Sequence, residues 1–252
     1  MSNVRRHNQP PMELDSAAVH HVLVEKQIDA LHHANTVQTS CLFLQHGRLL
    51  SRGAAEDRGV TQTPQRSDSL DKRYGIWNDI FLDSVDIHHR ASSRNLYGPV
   101  LFRFSIDLLL DVGAPTIWIT RMNPTDWKDG DRAEDRYYSS VEQFSAEYSK
   151  GDFRSMLMLR HVGGVVPLRP HLRDILVDGP GLWNDGEDLY SHTVGALRLS
   201  AWQGGDAKVQ ISKRECSSLC KCNAQYNALL SKARNSDAYQ ELERLFVFGS
   251  DA

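Results

Sequence analysis

The chain has 252 residues, of which 40% are hydrophobic and 24% are charged, and its 29 basic residues nearly balance 32 acidic ones. This composition excludes a fibrous or wholly disordered protein. The formal net charge of -3 argues against a protein that coats nucleic acid through bulk electrostatic attraction. The first two dozen residues contain no apolar run of signal or membrane-spanning length, so we expect no membrane attachment and a cytoplasmic location.

Periodicity indicates one mixed domain. We expect residues 1–24 to form a flexible tail and residues 25–252 to form a single domain. Apolar alternation indicates strands within residues 100–110, 117–120 and 172–177. Helical periodicity is found over residues 139–148, 187–202 and, in two parts, 226–248. Together with the segments discussed below, these elements predict an α/β or α+β fold around a partly antiparallel sheet of about six strands.

A candidate ligand site begins at a strand with histidines at its end. Residues 27–31 alternate apolar and polar side chains, which is typical of a strand, and His32 and His33 follow directly. One of the two imidazoles should face inward. The pattern therefore indicates a strand that delivers a histidine to its own carboxyl end.

A short helix and a polar loop follow that strand. Asn35 or Thr36 is suited to cap a helix over residues 37–45, and a glycine ends it. In the loop after it, two leucines anchor the backbone, and Ser51 and Arg52 are left to point elsewhere. Serine and arginine beside a strand-end histidine form a suitable pocket rim, although any of these residues is also compatible with an ordinary structural role.

This combination resembles the ADP-ribosyltransferase superfamily, in particular DarT-like toxins and related phage-defence enzymes that modify nucleic acids. In that family a strand-end histidine, a small polar turn, a helix and a Gly-Leu-Leu-Ser-type loop together hold the ribose and nicotinamide amide of NAD. The matching residues are His33, Asn35, Thr36, Gly47, Leu49, Leu50, Ser51 and Arg52. The match covers about a tenth of the chain.

The resemblance implies an α+β fold with a split, partly antiparallel sheet core and surrounding helices. It also implies an NAD-dependent ADP-ribosyltransferase, a toxin or antiviral defence enzyme that uses NAD as substrate. The expected partners are NAD, a nucleic-acid or protein target and a neutralising antitoxin, with no membrane. An RNA 2'-phosphotransferase relative, which also uses NAD, is one alternative, and a catalytically silent binding module is another.

One feature of the family is missing from the sequence. In such enzymes a strand carries a glutamate that orders the NAD ribose, but Ser155 and Met156 occupy the corresponding strand start. We expect Asp152 to reach in from the preceding loop as the catalytic acid; the alternatives are a different catalytic strand or NAD binding without turnover. Arg154 is the second catalytic candidate, and Arg154 or Arg160 would bind phosphate in the phosphotransferase alternative.

Acids and histidines also cluster in the strand-like segment 74–89. Asp83, Asp86, His88 and His89 have no spacing that establishes metal geometry. We interpret the two aspartates as turn caps and one histidine as the partner of an acid. The alternative is that this segment lines the pocket, because in the resembling family the centre of the sheet faces the nicotinamide.

Two polar stretches are predicted to lie at the surface. Residues 54–72 contain almost no apolar side chains and are interpreted as a mobile connection. Residues 123–135 are mostly charged, and near them Trp127, Tyr137 and Tyr138 are candidates for exposed aromatics that stack on bases. Scattered surface aromatics without a partner are the alternative.

Three of the four cysteines lie close together in the chain. Cys216, Cys220 and Cys222 form a C-x3-C-x-C pattern, and they could hold zinc with a histidine as fourth ligand. The spacing is not a common zinc-ribbon spacing, so the alternative is a helix start whose reduced thiols pack as small apolar groups. We predict no catalytic metal.

Overall fold

A mixed β-sheet organises the chain in the computed structural model, which describes residues 12–246 except 153, 182, 185, 186 and 233–235. The strands are β1 Leu14–Asp15, β2 Ala30–Asn35, β3 Arg48–Leu50, β4 Ile80–Asp83, β5 Val100–Ser105, β6 Thr116–Ile119, β7 Met156–Leu159, β8 Val165–Pro167, β9 Leu172–Val177, β10 Trp183–Asn184, β11 Glu187–Asp188 and β12 Ile211–Lys213. The helices are α1 Ser16–Glu25, α2 Val37–His46, α3 Arg52–Glu56, α4 Asp68–Arg73, α5 Ile87–Ala91, α6 Leu108–Asp111, α7 Ala133–Arg136, α8 Val141–Glu147, α9 Leu189–Gln203, α10 Cys222–Leu230 and α11 Asp237–Phe246, with a 3-10 turn at Pro124–Asp126.

The main sheet has eight strands in the order β1-β6-β7-β4-β2-β5-β9-β12. Its neighbouring strands are antiparallel except β9 and β12, which are parallel. Two further antiparallel ribbons pair β3 with β8 and β10 with β11. The α+β class is confirmed. The sheet is wider than predicted because its edge strands β1 and β12 have only two and three residues, too few to show an alternating pattern.

The predicted strand and helix around the histidines are present, with one shift. β2 begins at Ala30 and runs through both histidines to Asn35, because it pairs residue by residue with β5 over its whole length. Thr36 caps α2 by accepting a hydrogen bond from the backbone N–H of Thr39, and Gly47 ends the helix with φ of 63°. The histidines therefore lie within the strand and not beyond its end.

The flexible tail predicted over residues 1–24 is wrong for the part of it that the structure describes. Leu14 pairs with Ile117 at the edge of the main sheet, and α1 buries Val19 and Leu23 in the core. Asp15 caps α1 by accepting a hydrogen bond from Ala18 N–H at 2.8 Å. Residues 1–11 lie outside the described residues.

Residues 54–72 were predicted to be a mobile connection, and this is also wrong. The segment contains most of α3 and α4, and Thr63 between them is buried. Arg52 holds the segment through hydrogen bonds to the Asp68 carboxylate at 2.8 Å and to the Thr63 carbonyl at 2.7 Å. Polar side chains order this segment because their hydrogen bonds replace the apolar contacts that it lacks.

Two apolar clusters stabilise the fold. The larger contains residues of the sheet and of several helices, and within it Phe43 of α2 contacts Phe102 of β5 with ring centroids 6.0 Å apart. The smaller contains Trp127 and Tyr137, which were predicted to be exposed; they and Tyr138 are at most 6% exposed. Rings packed against each other in a core present no face on which bases can stack. The predicted base-stacking platform is therefore wrong.

Among the described residues, no helix combines the length and the apolar character that crossing a membrane requires.

We predict opposite effects for two glycine substitutions in α9 and at its end. A Cβ on Gly204 would lie 1.9 Å from the Leu44 carbonyl oxygen, whereas a Cβ on Gly195 would meet no atom within 4 Å. We expect Gly204→Ala to lower the free energy of unfolding by about 1–3 kcal/mol, because backbone must shift to relieve the clash. Gly195→Ala should raise it by up to about 1 kcal/mol through helix propensity. Urea denaturation of both variants measures the difference, and equal effects would contradict the packing of α9 on α2.

Candidate functional site

A cavity of about 120 Å³ lies where β2 and β4 meet. Its walls come from these two strands, from the Leu50–Arg52 corner after β3, from the segment 62–79 and from the 3-10 turn. The side chains that carry its chemistry are His33, Asn35, Ser51, Arg52, Gln62, Gln65, Asp71, Asp79, Asp83, Tyr97 and Thr125. The cavity therefore gathers residues that are up to 123 positions apart in the sequence, from His33 to Met156 (156 minus 33).

Histidine side chains join β2 to β4 beside the cavity. The backbone register of the two strands contains the one pair His32–Asp83. Beside it, His33 Nδ1 lies 2.9 Å from the Phe81 carbonyl oxygen, and His32 Nδ1 lies 3.2 Å from the Asp83 carbonyl oxygen. A carbonyl oxygen only accepts, so both Nδ1 atoms carry the proton and donate. The imidazoles thus supply hydrogen bonds that backbone pairing would otherwise supply.

His33 is a neutral hydrogen-bond acceptor at the cavity wall. Burial disfavours the imidazolium and lowers the pKa of His33, and the Phe81 carbonyl opposes this only in part. With Nδ1 donating, Nε2 holds a lone pair, and Nε2 is buried without a hydrogen-bond partner among the described residues. The ring is held against Phe43 with centroids 5.7 Å apart. A ligand hydroxyl is the natural donor to such an atom.

Asp83 is the acid of the cavity that has an unpaired carboxyl oxygen. Its Oδ1 is buried and has no hydrogen-bond partner among the described residues. Burial, and then the negative charge of Asp86, raise the pKa of Asp83 to about 8. The interpretation of Asp83 as a turn cap is therefore wrong, and the pocket-lining alternative describes its position. Asp86, in contrast, does cap α5 by accepting a hydrogen bond from His88 N–H at 3.1 Å.

Asp83 lies next to the start of β7, where the family resemblance implies a glutamate that this sequence does not have. Asp83 is the direct cross-strand partner of Met156 in the β4–β7 register, and both line the cavity. Directly opposed residues of an antiparallel pair point to the same face of the sheet. Asp83 therefore places a carboxyl group on the strand next to the start of β7.

Two further acids make the cavity acidic. Burial raises the pKa of Asp71 to about 6, although the Ser67 hydroxyl bound to it opposes the change. Burial also raises the pKa of Asp79, whose carboxylate accepts a hydrogen bond from Arg160 Nε at 3.0 Å. Burial also raises the pKa of the Tyr97 phenol to about 12. A cationic ligand group in the cavity would favour the ionised form of these carboxyl groups.

The predicted loop residues Ser51 and Arg52 line the cavity but are largely engaged in the fold. Ser51 Oγ caps α3 by accepting a hydrogen bond from Ala54 N–H at 3.1 Å. The Arg52 guanidinium donates to Asp68, to Gln62 Oε1 at 3.1 Å and to a backbone carbonyl. Arg52 therefore keeps few free donors for a ligand, and its main role is to hold the wall segment 62–68.

Of the remaining predicted cofactor residues, Asn35 and Leu50 line the cavity and Thr36 does not. Asn35 Oδ1 accepts from Thr36 N–H at 2.9 Å and from Gln65 Nε2 at 3.3 Å. Thr36 is fully buried behind it and donates its hydroxyl to Thr63 Oγ1 at 2.8 Å. The polar turn thus supports the wall of the cavity, with one residue facing in and one facing the core.

Asp152 and Arg154, predicted as catalytic residues, do not line the cavity. Asp152 Oδ1 accepts a hydrogen bond from Arg154 N–H at 3.0 Å, so the carboxylate closes its own turn. The Arg154 side chain is 67% exposed and points along the same turn, with Nε 3.4 Å from Asp152. Arg160 is bound to Asp79 behind the cavity wall. The structure therefore does not support their predicted catalytic placement.

Several cavity residues were missed by the sequence reasoning. Gln62, Gln65 and Asp71 belong to the segment that was dismissed as mobile because it is polar. Tyr97 enters the wall because Gly98 packs against β2, where an added Cβ would lie 2.0 Å from the Asn35 carbonyl oxygen. The Tyr-Gly-Pro turn in the sequence was the available signal for that close approach.

The cysteines Cys216, Cys220 and Cys222 do not line this cavity. The structure brings their thiols together with the ring of His88, which lies on α5. Cys222 does begin α10 and is buried, but Cys216 is exposed and Cys220 is half-buried. The interpretation that all three pack as small apolar groups at a helix start is therefore wrong.

A scan against protein-family models and a search of curated proteins found no match to this chain.

We predict that Asp83 makes the free energy of unfolding depend on pH. Its pKa in the fold, about 8, exceeds the ordinary value of 3.8, so the folded state binds the extra proton between these values. The stability that this proton provides is complete below about pH 4 and is lost as the pH rises through about 8. Asp83→Asn should remove this loss, so that the variant gains roughly 2–5 kcal/mol on the parent between pH 4 and 9.

Chemical denaturation of parent and variant across that range is the measurement. Asp152→Asn is the matched control, since its carboxylate lies in a surface turn and satisfies a backbone N–H. If the free energy of unfolding depends on pH in the same way in the parent and in Asp83→Asn, the raised pKa of Asp83 is contradicted.

Proposed function

We propose that the chain is an NAD-dependent ADP-ribosyltransferase whose active site is the cavity between β2 and β4. One observation carries the proposal: His33 and Asp83 line one cavity from neighbouring strands, and each has a buried side-chain atom, Nε2 and Oδ1, without a hydrogen-bond partner among the described residues. Buried polar atoms are normally paired, and two unpaired ones in a shared cavity favour a ligand that satisfies both. The resemblance of residues 33–52 to NAD-binding segments supplies the identity of that ligand.

The acidic lining suits the charge of NAD at its reacting end. The nicotinamide ring of NAD is a pyridinium cation, and Asp71, Asp79 and Asp83 surround the cavity with carboxyl groups. A cation bound beside Asp83 would favour its ionised form and lower its pKa towards the working range. Substrate binding would thereby release the Asp83 proton to solvent and leave the ionised carboxylate beside the cation.

The reaction follows from these groups. The bond between ribose C1' and the nicotinamide nitrogen breaks, its electron pair neutralises the pyridinium, and positive charge develops on the ribose. The Asp83 carboxylate stabilises that charge, and His33 Nε2 accepts a hydrogen bond from a ribose hydroxyl and fixes its position. The nucleophile of the target forms the new bond to C1' and releases its proton. No covalent enzyme intermediate is needed.

This assignment replaces the predicted catalytic acid, Asp152, with Asp83. In support, Asp83 opposes Met156 across the neighbouring strands β4 and β7, so its carboxyl group lies beside the strand start at which the resemblance implies a glutamate. An aspartate is one methylene shorter than a glutamate. Because Asp83 lies on β4 and not on β7, its carboxylate also approaches the ligand from a different direction. The observations that support it are the burial of Asp83 and its place in the cavity.

The phosphotransferase alternative is less well supported. That chemistry needs cations beside a transferred phosphate, whereas the cationic side chain that lines the cavity, Arg52, is bound to Asp68. Arg160 is paired with Asp79 and Arg154 is exposed. A phosphate dianion in the cavity would also lie near Asp71 and Asp83, and ionisation of either carboxyl group would repel it.

We predict that His33→Ala weakens NAD binding about fivefold. The variant removes one acceptor for a ribose hydroxyl, and one such hydrogen bond contributes about 1 kcal/mol. Calorimetric titration with NAD measures the affinity. His89→Ala is the control, because His89 is exposed and does not line the cavity. If a folded His33→Ala variant binds NAD as tightly as the parent, His33 does not take part in NAD binding.

We predict that Asp83→Asn lowers kcat about 100-fold or more, because the carboxylate stabilises the charge that develops in the transition state. Asp152→Ala should retain parental turnover, since its carboxylate closes a surface turn. Transfer from labelled NAD to separate DNA, RNA and protein pools provides the assay and identifies the target class.

The outcomes of that assay separate the hypotheses. Full activity in Asp83→Asn together with loss of activity in Asp152→Ala would identify Asp152 as the catalytic acid. A parent protein that binds NAD but transfers label to no pool would indicate a silent binding module. A larger loss in Arg160→Ala than in Asp83→Asn would favour phosphoryl transfer.

A further inference from the structure

Four side chains from two distant parts of the chain converge on one point beside α5. They are His88 on α5, Cys216 and Cys220 in the segment after β12, and Cys222 at the start of α10. One ligand atom from each side chain lies within 4.8 Å of every other. We propose that these four residues bind a structural zinc ion, independently of the transferase activity proposed above.

The separations match a tetrahedral metal site. Cys216 Sγ lies 3.5 Å from both Cys222 Sγ and His88 Nε2, and Cys220 Sγ lies 3.2 Å from the same nitrogen. Zinc bonds of about 2.3 Å to sulfur and 2.0–2.1 Å to nitrogen place tetrahedral neighbours roughly 3.5–3.8 Å apart. All four cysteines of the chain are free thiols, so no disulfide accounts for the close sulfur atoms.

The histidine is oriented as a metal ligand. Its Nε2 faces the thiols, and its Nδ1 lies 3.4 Å from the Asp178 carboxylate on the other side of the ring. Asp178 is itself held by Arg214 Nε at 2.6 Å and by the Tyr226 hydroxyl at 2.7 Å. A carboxylate behind a ligating imidazole fixes the ring and strengthens it as a donor, which is the usual surrounding of a protein-bound zinc.

The ligand set selects the ion and its role. Thiolate sulfur and imidazole nitrogen suit zinc, whereas calcium and magnesium require oxygen ligands. Four protein ligands fill the tetrahedral shell and leave no position for substrate, so the site is structural. None of the four residues lines the cavity. When zinc binds, the ligating thiols release their protons to solvent.

The ion would attach the C-terminal part of the chain to the sheet. His88 follows β4 by five residues (88 minus 83), and beside the cluster Lys221 N–H donates to the Ser92 carbonyl at 2.8 Å. Beyond the cluster, α11 reaches the cavity wall, where Arg244 donates to Gln65 Oε1 at 3.0 Å. Zinc therefore would hold in place helices that support the wall of the candidate site.

Metal analysis of the full-length chain tests the proposal. We expect about one zinc per chain in the parent protein, and below about 0.2 in Cys220→Ser and His88→Ala. Cys41→Ala is the matched control, because Cys41 is a buried cysteine of α2 outside the cluster, and it should keep the parental zinc content. His88→Cys replaces one zinc ligand with another and should also keep zinc.

Cobalt replacement provides a second readout on the parent protein, which does not depend on a variant that folds. Chelator-treated protein refilled with Co²⁺ should show thiolate-to-cobalt absorption, and its Tm should fall on chelation and recover with Zn²⁺ but not with Mg²⁺. The proposal is overturned by zinc-free parent protein without thiolate-to-cobalt absorption, by a Cys216–Cys222 disulfide, or by unchanged zinc content in Cys220→Ser.

Discussion

The joint between β2 and β4 is the interaction on which the candidate site depends. Where two central strands of a sheet usually exchange backbone hydrogen bonds, His32 and His33 insert their rings and donate to the carbonyl oxygens of β4. A ring occupies more space than a backbone N–H, so the strands can separate while their buried carbonyls stay satisfied. The cavity lies at this separation, and the same hydrogen bond leaves His33 Nε2 as its acceptor.

Asp83 carries a carboxyl group whose burial in the cavity wall destabilises the fold. Asp83 is kept protonated by its own desolvation and by the charge of Asp86, and Oδ1 has no partner among the described residues. An apolar residue would be more stable at this position, so the carboxyl group is explained better by a ligand than by the fold. In this proposal a cationic substrate resolves the conflict, because it favours the ionised carboxylate when it binds.

The polar segment 54–72 shows how a wall can be ordered without apolar packing. Arg52 at the start of α3 binds Asp68 at the start of α4, and Gln65 reaches across to Asn35 and to the Tyr97 carbonyl. Each of these bonds joins groups that are far apart in the sequence or belong to different elements. Composition alone registers only the polarity of such a segment, because the partners that satisfy it are set by the tertiary fold.

The sequence by itself determined those helices and strands whose ends and faces depend on neighbouring residues in the chain. Thr36 and Gly47 set the ends of α2 through capping and a positive φ, and the alternation of residues 172–177 defined β9. Five of the six predicted cofactor residues line the cavity, namely His33, Asn35, Leu50, Ser51 and Arg52, and all lie within the single segment that contains β2, α2 and β3.

Only the tertiary structure decided which distant groups meet. Met156 and Asp83 are 73 positions apart (156 minus 83), and their opposition across β4 and β7 depends on strand order, which no local pattern encodes. Trp127 and Tyr137 were predicted at the surface because their neighbours are charged, yet they pack into a second core with Met158. His88 joins the three cysteines across more than 100 residues for the same reason. Short-range sequence patterns specify helices, strands and turns, whereas a site is completed by long-range packing.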